Sequence, residues 1–353
     1  MQKVSETRLT AKEREPGIEL MRILMMFGIC VLHTAHLGLP FKVLSANSIF
    51  WALFVCSVDG FVFISGYYGI KFRLSKIVSL YTIGTFCALL NLIGLIVTGH
   101  PVRPATYEVF ERFFCGTWFL HAYAVLMCFA PLVNRCLNAE NKRGALEVAI
   151  PMIALVFGWT WFSGECKILK VPFPCSTGFE SHSWLTLLGV YVVARLYRVL
   201  KFERFIKWWM VIVFVPAITV ATAFYRGILG SYNSPQIIFF TLLVFWSFKQ
   251  MKVSSFWSKA IAFVAPSLFA VYLLHYGPYG RLIYEHFVYL KLSTCCPVVI
   301  LSALLAVAVF VLSLLADAPR RFLTHVFHRR LSLLNDKMDR AYQKLLEKGG
   351  EMC

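Results

Sequence analysis

The sequence predicts an all-α, polytopic integral membrane protein of about ten transmembrane helices with both termini cytoplasmic. Three observations predict it. Only 15% of the 353 residues are charged, where a soluble chain carries about a quarter. Hydrophobic residues make up 59% of the chain and its mean hydropathy is +0.68. These residues gather into runs near 18–38, 45–69, 77–98, 117–137, 145–163, 183–200, 207–225, 235–250, 259–276 and 296–316, each about long enough to cross a bilayer. The sixth and eighth runs carry the weakest signal.

Lysine and arginine placement orients the spans. With the N-terminus inside, 26 of the 35 Lys and Arg fall in inner segments, eight fall in outer loops, and the last is Arg22 within the first helix. This is the positive-inside bias of membrane proteins. It accounts for the net charge of +17 and removes the need for a nucleic-acid partner. Residues 1–16 are polar and basic, and the apolar run that follows is too long for a cleavable signal peptide, so internal spans do the targeting. The domain reading is a cytoplasmic segment 1–16, a transmembrane domain 17–322 and a cytoplasmic amphipathic tail 323–353. The cysteines sit mostly inside apolar runs without metal-ligand spacing, so no metal site is expected. Cys166 and Cys175 share one outer loop, where a bridge is an open alternative to free thiols.

The first span, GIELMRILMMFGICVLHTAHLG, carries Glu19, Arg22, His33 and His36. Ionisable groups are costly in a bilayer, and several on one span usually line a polar cavity or a reaction site. Arg22 and His33 lie eleven residues apart. At about 100° per residue they share a face, separated along the axis by roughly 16 Å. Glu19, one turn before Arg22, suits a helix-edge ion pair. The second span holds Asp59, which should be protonated or paired with a cation or His of the first helix; Ser65 and Gly66 read as packing residues.

The basic link after the second span presents Lys71, Arg73 and Lys76. It reads as a topology signal facing lipid headgroups, or as a phosphate-binding cluster beside Arg22. Trp118 and Tyr123 open the fourth span as an aromatic belt, with His121 either interfacial or part of an outward-facing site. The outer loop 164–183 is the largest and is a candidate place to engage an acceptor. Residues 195–207 read as a basic headgroup-facing connection. Pro235 suits the first turn of the eighth span, and His275 stands at the outer end of the ninth. From His325 to Glu347 apolar residues recur every three or four positions between Lys and Arg, as in an amphipathic helix on the inner membrane surface. No Gly-rich phosphate loop, GxSxG elbow or HExxH motif is present.

The order of these pieces resembles the membrane-bound acyltransferase 3 family. The resemblance rests on GIELMRILMMFGICVLH with Arg22 and His33, FVFISGYYG, the KFRLSK turn, TWFLHAYAVLMCFAPLV, YNSPQIIFF and SLFAVYLLH, and runs from residue 17 to about 322. It implies a ten-helix enzyme of the bacterial cytoplasmic (inner) membrane that moves an acyl group, commonly acetyl, from acyl-CoA to a cell-surface glycan or its lipid-linked precursor. Acyl-CoA would be a donor substrate, with no permanently bound cofactor. The resemblance carries Arg22 and His33 over as the essential pair and Arg73 and Lys76 as the basic turn. The family often shows two arginines there; this chain has Lys76, and Ser79 where a further cation is common.

On this reading Arg22, Arg73 and Lys76 meet the coenzyme A phosphates. His33 serves either as general base or as an acylated relay. Asp59 either orients His33 or pairs with Arg22, and His36, Trp118, His121 and His275 are candidate acceptor-binding residues. The rival reading is a transporter or flippase for a lipid-linked sugar, using the same charges without covalent chemistry. A homo-oligomer is among the candidate assemblies, and the sequence does not set the oligomeric state.

Overall fold

The computed structural model describes residues 15–36, 45–99, 107, 117–159, 182–280, 282 and 298–351. An apolar segment in lipid has no water to satisfy its backbone, so it closes its hydrogen bonds within itself. The described residues do so entirely as helices, with no strand among them. In chain order they are α1 (Pro16–His36), α2 (Ala46–Phe54), α3 (Ser57–Tyr68), α4 (Leu74–Val97), α5 (Trp118–Cys136) and α6 (Lys142–Ile153). Then follow α7 (Trp184–Val199), α8 (Trp208–Phe224), α9 (Pro235–Gln250), α10 (Ser255–Val264), α11 (Leu268–His275), α12 (Val298–Ala316), α13 (Ala318–Val326) and α14 (His328–Glu351).

Among the described residues six helical segments are long and apolar enough to cross a membrane: Pro16–Thr34, Ala46–Tyr68, Leu74–Val97, Trp118–Cys136, Ser255–His275 and Val299–Val326. Trp208–Phe224 is a shorter apolar helix. The chain is therefore a multi-pass helical protein, as the sequence predicts. Helices α7 and α9, at 16 residues each, fall short of that length. Both are packed inside the bundle, where Tyr191, Tyr197, Phe240 and Phe245 are fully buried, so protein contacts replace lipid along them.

Two predicted spans are not continuous helices. The second breaks at Val55 and Cys56, between α2 and α3. There α1 comes so close that a Cβ on Gly28 would lie 2.3 Å from Ser57 Oγ. The ninth is interrupted by a 3-10 turn, Ala265–Ser267, around Pro266, which cannot donate to the helical ladder.

Helix α1 is the hub, packing against α2, α3, α9, α10, α11 and α12. The α3–α7 contact is close because Gly66 lacks a side chain; a Cβ there would stand 2.7 Å from both Ala194 Cβ and the Tyr191 carbonyl oxygen.

The two ends of the bundle differ. At one end α3 stops at Gly69, whose φ of +80° suits glycine. Arg198 Nη1 donates to the Tyr67 carbonyl at 2.8 Å, and Arg195 Nη2 to the Leu137 carbonyl at 3.2 Å. These arginines of the 195–207 connection thus cap the C-termini of α3 and α5 as well as adding positive charge. Tyr191 Oη accepts from Ile70 N at 2.8 Å and donates to Asn134 Oδ1 at 2.9 Å, while Asn134 Nδ2 returns to Ile70 O at 2.9 Å. Lys249 pairs with Glu203 at 2.6 Å. The amphipathic tail helix α14 docks here: Asp339 accepts from Ser75 N at 2.9 Å and from Ser75 Oγ at 2.7 Å, at the first turn of α4. Tyr342 packs on Phe72 beside it. The opposite end is formed by the C-terminal halves of α1 and α11, the starts of α5 and α7, and the link between α8 and α9. It encloses a cavity.

Candidate active site

The cavity has a volume of about 400 Å³ and contains the side chain of His33 in its wall. Around it stand Ile29 and Leu32 of α1, Trp51 of α2, Val55 just after it, Val58 of α3, Trp118 of α5 and Tyr272 of α11. His182 enters from the turn before α7, and Arg226, Gly230, Ser231 and Tyr232 from the α8–α9 link. The break between α2 and α3 positions this wall, because Trp51 lies in the last turn of one helix, Val55 in the break and Val58 at the start of the next. Aromatic rings form an open box on one side. Trp118 and Tyr232 stack with centroids 6.2 Å apart, and His182 meets Trp118 at 5.1 Å and Tyr232 at 4.9 Å. Such a box offers flat apolar faces with polar tips, the usual character of a small-ligand site. Burial and the nearby Asp59 carboxyl push the Tyr232 hydroxyl up from its ordinary value, and burial pulls the Arg226 guanidinium down from its own.

His33 is held from behind. Its Nδ1 lies 2.6 Å from Nε2 of His275, and His275 Nδ1 lies 2.8 Å from the Val271 carbonyl oxygen. The carbonyl only accepts, so His275 Nδ1 carries a proton and donates it. In a neutral imidazole the other nitrogen is then an acceptor, and His33 Nδ1–H donates to His275 Nε2. By the same rule the lone pair of His33 falls on Nε2. The two rings are nearly parallel, 18° apart, and Tyr276 stacks on His33 at 4.1 Å. His275 itself is fully buried. The turn after it is pinned by Asn91 of α4, whose Oδ1 accepts from Tyr279 N at 3.1 Å. This is a backbone-anchored chain of two imidazoles ending in a basic nitrogen.

The other residues singled out in the sequence divide between the two ends. Trp118 lines the cavity, and His275 supports His33 from outside it. One turn along α5 from Trp118, His121 instead meets α4, where its Nδ1 lies 3.1 Å from Tyr81 Oη. His36 closes α1, and its side chain is outside the described residues. Cys166, Cys175 and the loop residues 160–181 also lie outside them. Asp59 is fully buried on α3, and neither carboxyl oxygen has a hydrogen-bond partner among the described residues. It therefore meets neither His33 nor Arg22 in a hydrogen bond; the group on His33 Nδ1 is His275.

Arg22 lies on the opposite, basic end, ion-paired with Glu19 one turn earlier, as the spacing predicts. Arg73 and Lys76 are exposed at the start of α4 on that same end, near the Ser75–Asp339 contact. The unbroken run of α1 between Arg22 and His33 thus joins the basic end to the cavity.

Sequence reasoning missed Arg226, Tyr232, Tyr272 and Trp51 as cavity residues, while His182 lies at the end of the 164–183 loop that it offered as a place to engage an acceptor. They come from separate stretches of the chain, and only tertiary packing gathers them. A match to a known curated protein or to a known solved structure is absent. A family model described as an acyltransferase domain matches residues 15–317. With this match over most of its length, on a multi-pass helical fold, the chain belongs to the acyltransferase 3 family of membrane acyltransferases.

Proposed function

We propose that the protein is an O-acyltransferase, and most specifically an O-acetyltransferase, of a bacterial cytoplasmic membrane. It takes the acyl group from cytoplasmic acyl-CoA and places it on a hydroxyl of a cell-surface glycan or its lipid-linked precursor. In this reading ten segments cross the membrane, both termini are cytoplasmic, and the basic end faces the cytoplasm. The observation that carries the proposal is the His33–His275–Val271 chain at the wall of an aromatic cavity.

The chemistry follows from the groups present. Coenzyme A carries phosphates, and the basic end offers Arg22, Arg73 and Lys76 to them. The thioester extends along the Arg22–His33 face of α1. A sugar in the cavity lies against Trp118 and Tyr232 with one hydroxyl at His33 Nε2. His33 accepts the hydroxyl proton as the oxygen attacks the thioester carbonyl. The carbon–sulfur bond then breaks, and the thiolate leaves as the free thiol by taking the proton back from His33. His275 holds the imidazole in the tautomer this requires and accepts the hydrogen bond of its charged form, a part played by a carboxylate in other triads.

The test is transfer of radiolabel from acetyl-CoA to candidate glycans by the purified protein, beside His33→Ala and Arg22→Ala. The proposal expects label in the glycan with the native chain, its loss in His33→Ala, and reduced labelling at limiting acetyl-CoA in Arg22→Ala. Equal coenzyme A binding by the native chain and an Arg22→Ala/Arg73→Ala variant would remove the phosphate assignment.

A further inference from the structure

Helix α11 ends at His275, and the turn that follows it lies on α4. Asn91, buried in α4, donates from Nδ2 to the Cys87 carbonyl at 2.9 Å and accepts at Oδ1 from Tyr279 N at 3.1 Å. These bonds use the donor and the acceptor of the amide and so fix which way it points. Gly277 rests directly on that amide: a Cβ there would stand 2.4 Å from Asn91 Oδ1 and 2.5 Å from Nδ2. Three residues along the same face of α4, Gly94 receives the ring of Tyr279, whose Cγ would lie 2.7 Å from a Cβ at that position. Contacts this close give the turn one seat against α4.

That turn begins with the two rings that hold His33. His275 Nε2 lies 2.6 Å from His33 Nδ1, and Tyr276 stacks on the His33 ring with centroids 4.1 Å apart and planes 25° apart. The Val271 carbonyl orients the His275 ring within α11, while the seat on α4 sets where the end of α11 stands against α1. A buried amide in an apolar span is costly unless its hydrogen bonds are used, and Asn91 uses its acceptor on this turn.

We propose that Asn91 is a positioning residue of the transfer reaction: through the turn of Tyr276–Tyr279 it keeps His275 and Tyr276 against His33, and so keeps the lone pair of His33 on Nε2. The inference rests on the reading of His33 as the base in transfer. Asn91 touches neither imidazole. Its effect is on which nitrogen of His33 carries the proton, since that is set by the hydrogen bond the other nitrogen makes.

The experiment reads the tautomer directly, without acyl donor or glycan. Full-length protein labelled with 15N in its histidine rings is placed in lipid bilayers at about pH 8, above the ordinary imidazole range. Its ring nitrogens are recorded by solid-state NMR, with His33 assigned by the signal lost in His33→Gln. The native spectrum is expected to show His33 protonated on Nδ1 and bare on Nε2. Asn91→Leu keeps the bulk and removes the acceptor, and is expected to add a population protonated on Nε2. In transfer assays the same variant should lower kcat about tenfold with KM for both substrates within about twofold of native. Asn91→Asp, whose protonated carboxyl offers the same acceptor and one donor, should restore both readings. If Asn91→Leu does not fold, Gly277→Ala takes its place, pressing a methyl onto the amide from the other side, with the same two changes expected. A native His33 that shares its proton between both nitrogens overturns the proposal. So does a folded variant whose His33 spectrum is native, or one whose tautomer shifts while kcat stays native. Absence of transfer by the native chain with every glycan, alongside the tautomer shift, counts against the acyltransferase reading and leaves the hold of Asn91 on His33 standing.

Discussion

His33 and His275 stand 242 residues apart in the chain and meet with Nδ1 and Nε2 separated by 2.6 Å. The pair joins the first helix of the bundle to the end of α11, and the Val271 carbonyl fixes the direction of its hydrogen bonds. His275 is a positioning residue on this account. His275→Ala is expected to lower kcat about a hundredfold with little change in KM for either substrate. The pH–rate profile of the variant should move as well, since the charged form of His33 loses its acceptor. A rise in KM at unchanged kcat would assign His275 to substrate binding.

Asp59 gives the matching control. Its carboxyl oxygens meet neither histidine nor arginine in a hydrogen bond. Removing an acceptor that has no hydrogen-bond donor strands no partner, so Asp59→Asn is expected to keep transfer within about fivefold of the native rate. Steady-state kinetics of Asp59→Asn and His275→Ala, side by side, show which group orients His33.

These two residues also show what the sequence could reveal. Helix-forming apolar runs, the Glu19–Arg22 spacing and Pro235 at a helix start depend on neighbours along the chain. They were legible, and the structure has them. The partner of His33 lies 242 residues away, so no local pattern distinguishes His275 from Asp59 as its companion. Arg226 reads in the sequence as one of few outer-loop cations, and only the fold sets it over Trp51 in the same wall as His33. The break at Val55 lies where α1 packs closely on Ser57, a tertiary contact that no local pattern shows, whereas Pro266 in an otherwise apolar run is a local signal for the second.

Arg22 should act on the donor. Arg22→Ala is expected to raise KM for acyl-CoA about tenfold, and Arg22→Lys less, since one charge-assisted contact to phosphate is lost or weakened. Competition by desulfo-coenzyme A, a non-reacting analogue with the phosphates intact, separates this binding effect from the chemical step.

Close packing makes a stability prediction at Gly66. An added methyl would sit 2.7 Å from the Tyr191 carbonyl oxygen, which is backbone and cannot swing aside. Gly66→Ala is expected to cost about 1–3 kcal/mol. Thermal unfolding in detergent reads the loss as a lower Tm.

The tail helix depends on one carboxylate. Asp339 accepts both Ser75 hydrogen bonds at the first turn of α4. Asp339→Ala is expected to weaken that docking by about 1 kcal/mol, the usual worth of an N-terminal cap. Faster proteolysis of α14 in the variant, with the transmembrane core intact, is the measurement.

The central claim is that Nε2 of His33 takes the proton from the acceptor hydroxyl. A single-turnover measurement of acetyl transfer to glycan, with acetyl-CoA prebound to native protein or to His33→Ala, tests it most directly. The account predicts a fall of about a hundredfold or more in the rate of transfer, with acetyl-CoA affinity unchanged. Transfer at the native rate without the imidazole would contradict it.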